Sequence, residues 1–198
     1  LSTEKRLKKV YKLRDRFEKN IKHSEQVRSL AKSILKKLQK HKLFCDEKSI
    51  YLQAGALLHD IGQSISPRQH HKHSRDIILR EGLAGFKKKE ILAIACIAKF
   101  HRRELPGVAD PDFKRLPLRL QQTVKIATAI LRLADGLDRS HRNAVEKLKL
   151  KRKNDAIVFY LISSSNMLTE IWGALRKKQY FEELTGKKCR FEVLDNNK

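Results

Sequence analysis

Four stretches of helical spacing in this chain each carry, on their apolar side, a group that cannot be buried without a counter-charge or a hydrogen-bond partner. Across 21–40 the apolar positions Val27, Leu30, Ala31, Ile34, Leu35 and Leu38 recur at three and four, and His23 stands four residues before Val27 on the same stripe. Across 49–61 the inward positions are Ile50, Ala54, Leu57, Leu58 and Ile61, with His59 and Asp60 in the last turn and Gly62 placed as the stop. The stripe of 87–102 (Ile91, Ile94, Ala95, Ala98) meets His101, and that of 118–138 (Leu120, Val124, Ala127, Leu131, Ala134) meets Asp135. A single such histidine is most often a satisfied core residue, and Asp135 alone reads equally as a cap or a partner of Arg132 or Arg139. Together they require a shared cation or a network of partners, because an unpaired buried carboxylate costs several kcal/mol or shifts its pKa.

The remaining segments fill out a mainly α chain. Ser66 and Pro67 suggest a helix start, predicting a helix over 68–81 that exits at Gly82 and Gly85. Pro106, Pro111 and Pro117 mark the connection 103–117, expected to border the site as a lid with Gly107 as its hinge. After Arg142 the texture changes. Leu148 and Leu150 alternate with lysines, 153–155 makes a turn, and 156–162 is β-branched and aromatic. A helix through Leu168, Ile171, Trp172, Leu175 and Leu184, closed by Gly186, and a last strand over 189–194 complete the prediction. The expected architecture is a helical domain over 1–142 with a small C-terminal ββαβ unit over 143–198.

Charge narrows the partners. The chain holds 45 Lys and Arg against 22 Asp and Glu, a net +23. The excess is +10 over 1–48, +7 over 49–140 and +6 over 141–198, so it is a general positive field and no polybasic arm. Such a field suits anions: a small phosphorylated substrate, polyphosphate, or nucleic acid. The longest uncharged apolar run, 91–98, is far short of the roughly 20 residues of a membrane span, so no membrane partner is expected. Cys45, Cys96 and Cys189 have no CxxC spacing and no secretory signal opens the chain, which predicts reduced thiols and a cytoplasmic setting. The sequence begins at Leu1, not Met, which leaves room for upstream residues, and a homodimer is compatible with everything above.

The order His, His-Asp, Asp on successive helices resembles the HD superfamily of metal-dependent phosphohydrolases. Its setting is AGALLHDIG over 54–62 and LRLADGLD over 131–138. The resemblance implies an HD-type helical domain in which His23, His59, Asp60 and Asp135 hold a divalent metal ion (Mn, Mg, Ni, Co or Fe). Between those motifs HHKHSRDIIL (70–79), LAGF (83–86), Glu90 and FHR (100–102) look like the C-terminal HD-type region of the exopolyphosphatase/guanosine pentaphosphate phosphatase (Ppx/GppA) family. The hairpin, Trp-containing helix and last strand resemble that family's small final domain. Hydrolysis of polyphosphate in that family is attributed to two N-terminal actin-like domains with glycine-rich phosphate loops, which these residues do not contain; exopolyphosphatase activity is therefore not implied.

By resemblance to other HD enzymes, His70 and His101, with His71 and His73 as alternatives, are candidates for a second metal. Arg102 stands where the HD-GYP pattern has a second adjacent histidine, so one ion is expected in preference to two. Gln63 and Ser64 occupy positions where some relatives place an acidic general base. The expected mechanism is attack by a metal-activated water that Asp60 orients or deprotonates. Arg68, Lys72, Arg75, Arg102 and Arg103 are the expected phosphate-neutralising groups. The expected function is a metal-dependent phosphohydrolase of a small phosphorylated compound, most plausibly a nucleotide. The alternative is a non-catalytic, regulatory module that binds polyphosphate, nucleotide or RNA.

Overall fold

The computed structural model describes residues 1–18 and 20–195, the side chain of Asp195 excepted; positions 196–198 of the expected C-terminal unit lie outside the described residues. The chain is mainly α with a small C-terminal sheet. Its order is α1 (Thr3–Phe17), α2 (Ile21–Lys40), α3 (Ser49–Leu58), a 3₁₀ turn (Ile61–Ser64), α4 (His70–Glu81), α5 (Lys88–Phe100), α6 (Pro111–Lys114) and α7 (Leu118–Gly136). Then follow β1 (Lys147–Arg152), β2 (Ala156–Ser163), α8 (Leu168–Lys177), α9 (Gln179–Thr185) and β3 (Lys188–Asp195). No described helix is long and apolar enough to cross a membrane.

Helix α3 is the centre of the body. Every residue from Ile50 to Leu58 is buried, as expected of a helix apolar on all sides, and α1, α2, α5 and α7 pack around it. Fully burying one of its leucines contributes about 1.5–3 kcal/mol. Gly55 lets α5 close in, since a Cβ there would sit 2.4 Å from Ile97 Cγ2.

Several expected boundaries shift. Helix α3 ends at Leu58, not Ile61, and His59 and Asp60 form the hinge into the 3₁₀ turn. Gly62 is not a left-handed stop: a Cβ there would lie 2.1 Å from the His70 carbonyl oxygen, so the glycine exists to let α4 approach. Helix α4 starts at His70, without a side-chain cap, rather than at Ser66 and Pro67. The 168–184 helix is broken at Lys178 into α8 and α9, with Gly186 left-handed (φ 65°) at the end as expected.

In the C-terminal sheet β2 is central, antiparallel to β1 and parallel to β3, with Phe159 opposite Leu150 on one side and Phe191 on the other. The α8–α9 pair makes the crossover from β2 to β3, and the 142/143 junction falls in the loop between α7 and β1. Helix α8 meets the end of α7 backbone to backbone: a Cβ on Gly173 would lie 2.4 Å from the Gly136 carbonyl oxygen. This contact sets the face of α8. Gly173 and Ala174 are buried, while Leu168, Trp172 and Leu175 are exposed.

The connection 103–117, expected as a lid, is packed on the body in this structure. Helix α6 is docked on α5, Phe113 being buried edge-on against Phe100 at 6.3 Å. Asp112 pairs with Arg75 and Asp110 with Lys99. Gly107, the expected hinge, has no positive φ.

Candidate functional site

The HD turn is fixed by one hydroxyl. Ser74 Oγ on α4 accepts from the Gly62 N–H (2.9 Å) and donates to the His59 carbonyl (2.7 Å), which clamps the turn onto α4 and sets His70 beside Asp60. His23 enters from the first turn of α2, His101 from the end of α5 and Asp135 from the last turn of α7. All are buried.

Four histidines share one hydrogen-bonding pattern. Nδ1 of His59, His70 and His101 donates to the backbone carbonyl three residues earlier, of Ala56 (2.7 Å), Pro67 (2.8 Å) and Ala98 (2.6 Å). His23 Nδ1 donates instead to Asp138 Oδ2 at 2.8 Å, and Asp138 is in turn held through Oδ1 by the Asn143 N–H. With Nδ1 protonated, each ring in its neutral form carries a lone pair on Nε2.

These lone pairs converge on two carboxylates. Asp60 Oδ1 lies 3.2 Å from His70 Nε2, 3.6 Å from His59 Nε2 and 3.7 Å from His101 Nε2. His23 Nε2 is 3.9 Å from Asp60 Oδ2 and 3.6 Å from Asp135 Oδ1. Two overlapping groups, His23–His59–Asp135 and His59–Asp60–His101, each have ligand atoms within 4.8 Å of one another. Asp60 faces both halves. Nε2 of His23 and of His59 is buried without a hydrogen-bond partner among the described residues, an arrangement costing about 1–3 kcal/mol per group unless something fills the space.

Electrostatics carry the same demand. Burial pushes the Asp135 carboxyl up, but the Lys177 ammonium paired with it and His23 hold it well below the usual carboxylate range. Burial pushes His59 down, and His101 further, keeping both neutral. On His23 burial works downward as well, yet Asp135 and Asp138 outweigh it and bring the imidazole to about 10. The carboxylates thus collect a cation, and without a metal His23 supplies it as a proton.

His71 and His73 fall outside both ligand groups. His71 is buried, with both ring nitrogens unpartnered among the described residues, and His73 is half-buried. Gln63 donates its side-chain amide to Asp60 Oδ2, so the position that carries an acid in some relatives here steadies the carboxylate.

The cluster opens on a cavity of about 530 Å³. Of the expected phosphate-binding residues only Arg102 lines it. Arg68, Lys72 and Arg103 are exposed elsewhere, and Arg75 is committed to Asp112 and Asp76. The other cations of the wall are Arg132 and Arg139, from α7 and the loop after it, and Arg176 and Lys177, from α8. Trp172 stands at the rim with the Arg176 guanidinium 4.9 Å from its ring centroid. These groups escaped the sequence reading because the segments next to the histidines in sequence are not those next to them in space. Asp138 was not singled out either, and its i,i+3 spacing from Asp135 in LRLADGLD is the signal that could have found it.

If the cluster holds a divalent ion, replacing Asp138 by Asn is expected to weaken its binding about 10–100-fold, the usual cost of losing a carboxylate that orients a metal-ligating histidine. Titration calorimetry with Mn would measure it, and an unchanged affinity would leave Asp138 a merely structural partner.

A family model described as Ppx/GppA phosphatase, domain III, matches residues 6–175. A stretch of 54 residues is 43% identical to a protein of Pseudoalteromonas translucida (strain TAC 125) named guanosine-5'-triphosphate,3'-diphosphate pyrophosphatase. It covers 27% of this chain and 11% of that protein.

Proposed function

Since this chain belongs to the Ppx/GppA phosphatase domain III family, we propose that it is a metal-dependent phosphohydrolase of a small phosphorylated compound, a nucleotide in particular, with its own HD-type site. The observation that carries this reading is the contact of His70 Nε2 with His101 Nε2 at 3.1 Å. Both rings spend their Nδ1 hydrogen on a backbone carbonyl, so two lone pairs face each other, and only a proton or a metal ion between or beside them relieves the repulsion. The unpartnered Nε2 atoms of His23 and His59 point to the same filling.

In this reading His23, His59, Asp60 and Asp135 hold one divalent ion, and His70 and His101, sharing Asp60, offer a second position. A metal so held would lower the pKa of water from about 15.7 towards about 7, supplying a nucleophile at neutral pH. The chain's own residues do the rest. Asp60, steadied by Gln63, orients water and accepts its proton; Arg102, Arg132, Arg139, Arg176 and Lys177 neutralise phosphoryl oxygens. The ring of four hydrogen-bonded imidazoles fixes geometry before substrate arrives.

Metal analysis of the purified protein, with a phosphatase and phosphodiesterase screen in Mn, Mg, Ni, Co and Fe, tests the proposal. Stoichiometric metal and hydrolysis are expected; a protein that binds none of these ions and hydrolyses nothing sinks it. Chelation is expected to lower Tm as well, since an ion at about 100 times its Kd contributes about 2.7 kcal/mol, or about 5–11 °C for a chain of this size.

A second reading, polyanion binding without catalysis, is favoured by a different surface. Lys40, Lys42, Arg152, Lys153 and Lys187 surround an open concavity that shares no lining residue with the metal cavity. Binding of long polyphosphate with a steep salt dependence that survives Asp60→Ala would support it.

A further inference from the structure

A fifth histidine lines the same cavity and is wired the opposite way. His141 follows α7 and takes a left-handed backbone (φ 57°), uncommon for a non-glycine residue. Its ring stacks on that of His23, with centroids 3.9 Å apart and planes within 6°. Its Nδ1 lies 2.9 Å from Asn20 Nδ2.

The orientation of that amide is set independently. Asn20 caps α2, and its Oδ1 accepts the His23 backbone N–H at 3.4 Å. The other end of the amide is therefore NH₂, a donor, and His141 Nδ1 must accept from it. A neutral imidazole that accepts at Nδ1 carries its hydrogen on Nε2. In their neutral forms the four histidines around Asp60 present lone pairs; His141 presents an N–H. That Nε2 has no hydrogen-bond partner among the described residues, although the ring borders the cavity. A lone pair there would add to the donor set for a cation, whereas an N–H is repelled by a cation and seeks an acceptor.

We infer that His141 is the neutral hydrogen-bond donor of the site, giving its Nε2–H to an oxygen of a bound phosphate group, and that Asn20 holds it in the tautomer this requires. The inference deepens the phosphohydrolase reading and, in its phosphate part, rests on it. The backbone geometry accords with that use: the left-handed turn places the ring parallel to His23, so metal-ligating and phosphate-donating imidazoles are layered and do not compete for one position.

The test has two readouts. Two-bond ¹H–¹⁵N correlation spectra of the uniformly labelled full chain report each histidine tautomer without any turnover. His141 is expected as the Nε2–H form, and His59, His70 and His101 as Nδ1–H. An Nδ1–H tautomer at His141 would overturn the assignment outright, and Asn20→Ala is expected to release His141 into a mixture of both forms.

Binding of inorganic phosphate to the Mn-loaded protein gives the second readout. His141→Phe keeps a flat ring against His23 but has no donor, and is expected to weaken phosphate about 10-fold or more, as for one hydrogen bond to a charged group. His141→Gln, which keeps an N–H donor, is expected to stay within about threefold of the parent. Equal affinity of the parent and His141→Phe would overturn the proposal, and so would a metal-loaded parent that binds no phosphate. Metal content, measured on the same samples, separates these failures from failure of the phosphohydrolase reading: a chain that takes up no Mn while His141 still shows the Nε2–H form discards that reading and the phosphate role, and leaves the tautomer standing.

Discussion

Asp60→Ala is expected to lower phosphohydrolysis by about 10³-fold or more. General-base assistance alone is worth about 10²–10⁴-fold, and Asp60 also touches both halves of the cluster. Its Oδ1 lies within 3.7 Å of three imidazole nitrogens and its Oδ2 at 3.9 Å from a fourth. No other described carboxylate lies within 4.0 Å of more than one of these four. Bound metal should fall with activity, which mass spectrometric metal analysis would show. Helical circular dichroism should persist, because α3 is anchored through Ile50, Leu52, Leu57 and Leu58 rather than through the carboxylate. Asp60→Asn, which keeps the shape and loses the charge, separates volume from electrostatics. A variant of either kind that retains metal and turnover would remove Asp60 from the mechanism.

Gly173→Val is expected to cause a large loss of stability. Its Cβ would overlap a carbonyl oxygen of α7 at 2.4 Å and Arg139 Cβ at 2.8 Å, and the first of these is backbone, which cannot swing aside. Overpacking of this kind costs about 1–3 kcal/mol or more, or roughly 2–12 °C in Tm for this chain length. If α8 retreats to relieve it, Arg176 and Lys177 leave the cavity while the α2–α7 residues stay. The expected kinetic signature is therefore a rise in KM larger than the fall in kcat. Unchanged Tm and unchanged KM would mean that α8 is not held where the two glycines place it.

Periodicity made most of the helical body legible. The α2 stripe from Val27 to Leu38 has a clean apolar and polar face, and its expected limits coincide with those observed. The first helix escaped because charge hides its pattern: Val10 and Leu13 are buried, but Lys and Arg dominate the rest of Thr3–Phe17. The ionisable groups of the site were legible because a polar residue on an apolar stripe is itself the anomaly. His23, His59, Asp60, His101 and Asp135 all stood out that way, and the structure brings them together.

The cations that line the cavity were not legible for the converse reason. An arginine on a helix surface is ordinary; the Gly136–Gly173 contact, across 37 residues, brings Arg176 to the cavity, and the pairing with Asp112 and Asp76 takes up Arg75. The same contact sets the face of α8. Large apolar residues usually mark the buried side, but a backbone-to-backbone crossing buries the small ones and leaves Trp172 in solvent. His141 was hidden altogether, since its meaning lies in an amide 121 residues away.

The bond between His23 and Asp138 spans 115 positions, and that span bears on when the centre can exist at all. During synthesis the four imidazoles of His23, His59, His70 and His101 emerge before either Asp135 or Asp138 has been added. A nascent chain thus carries a histidine-rich half-site with the wrong charge balance for a hard divalent ion, and closing the loop to α7 must come first. Long-range closure is slow relative to helix formation. Metal loading would then be the last event in maturation, following the arrival of the C-terminal third, and a ribosome-stalled fragment ending before Asp135 would be a helical but metal-poor intermediate.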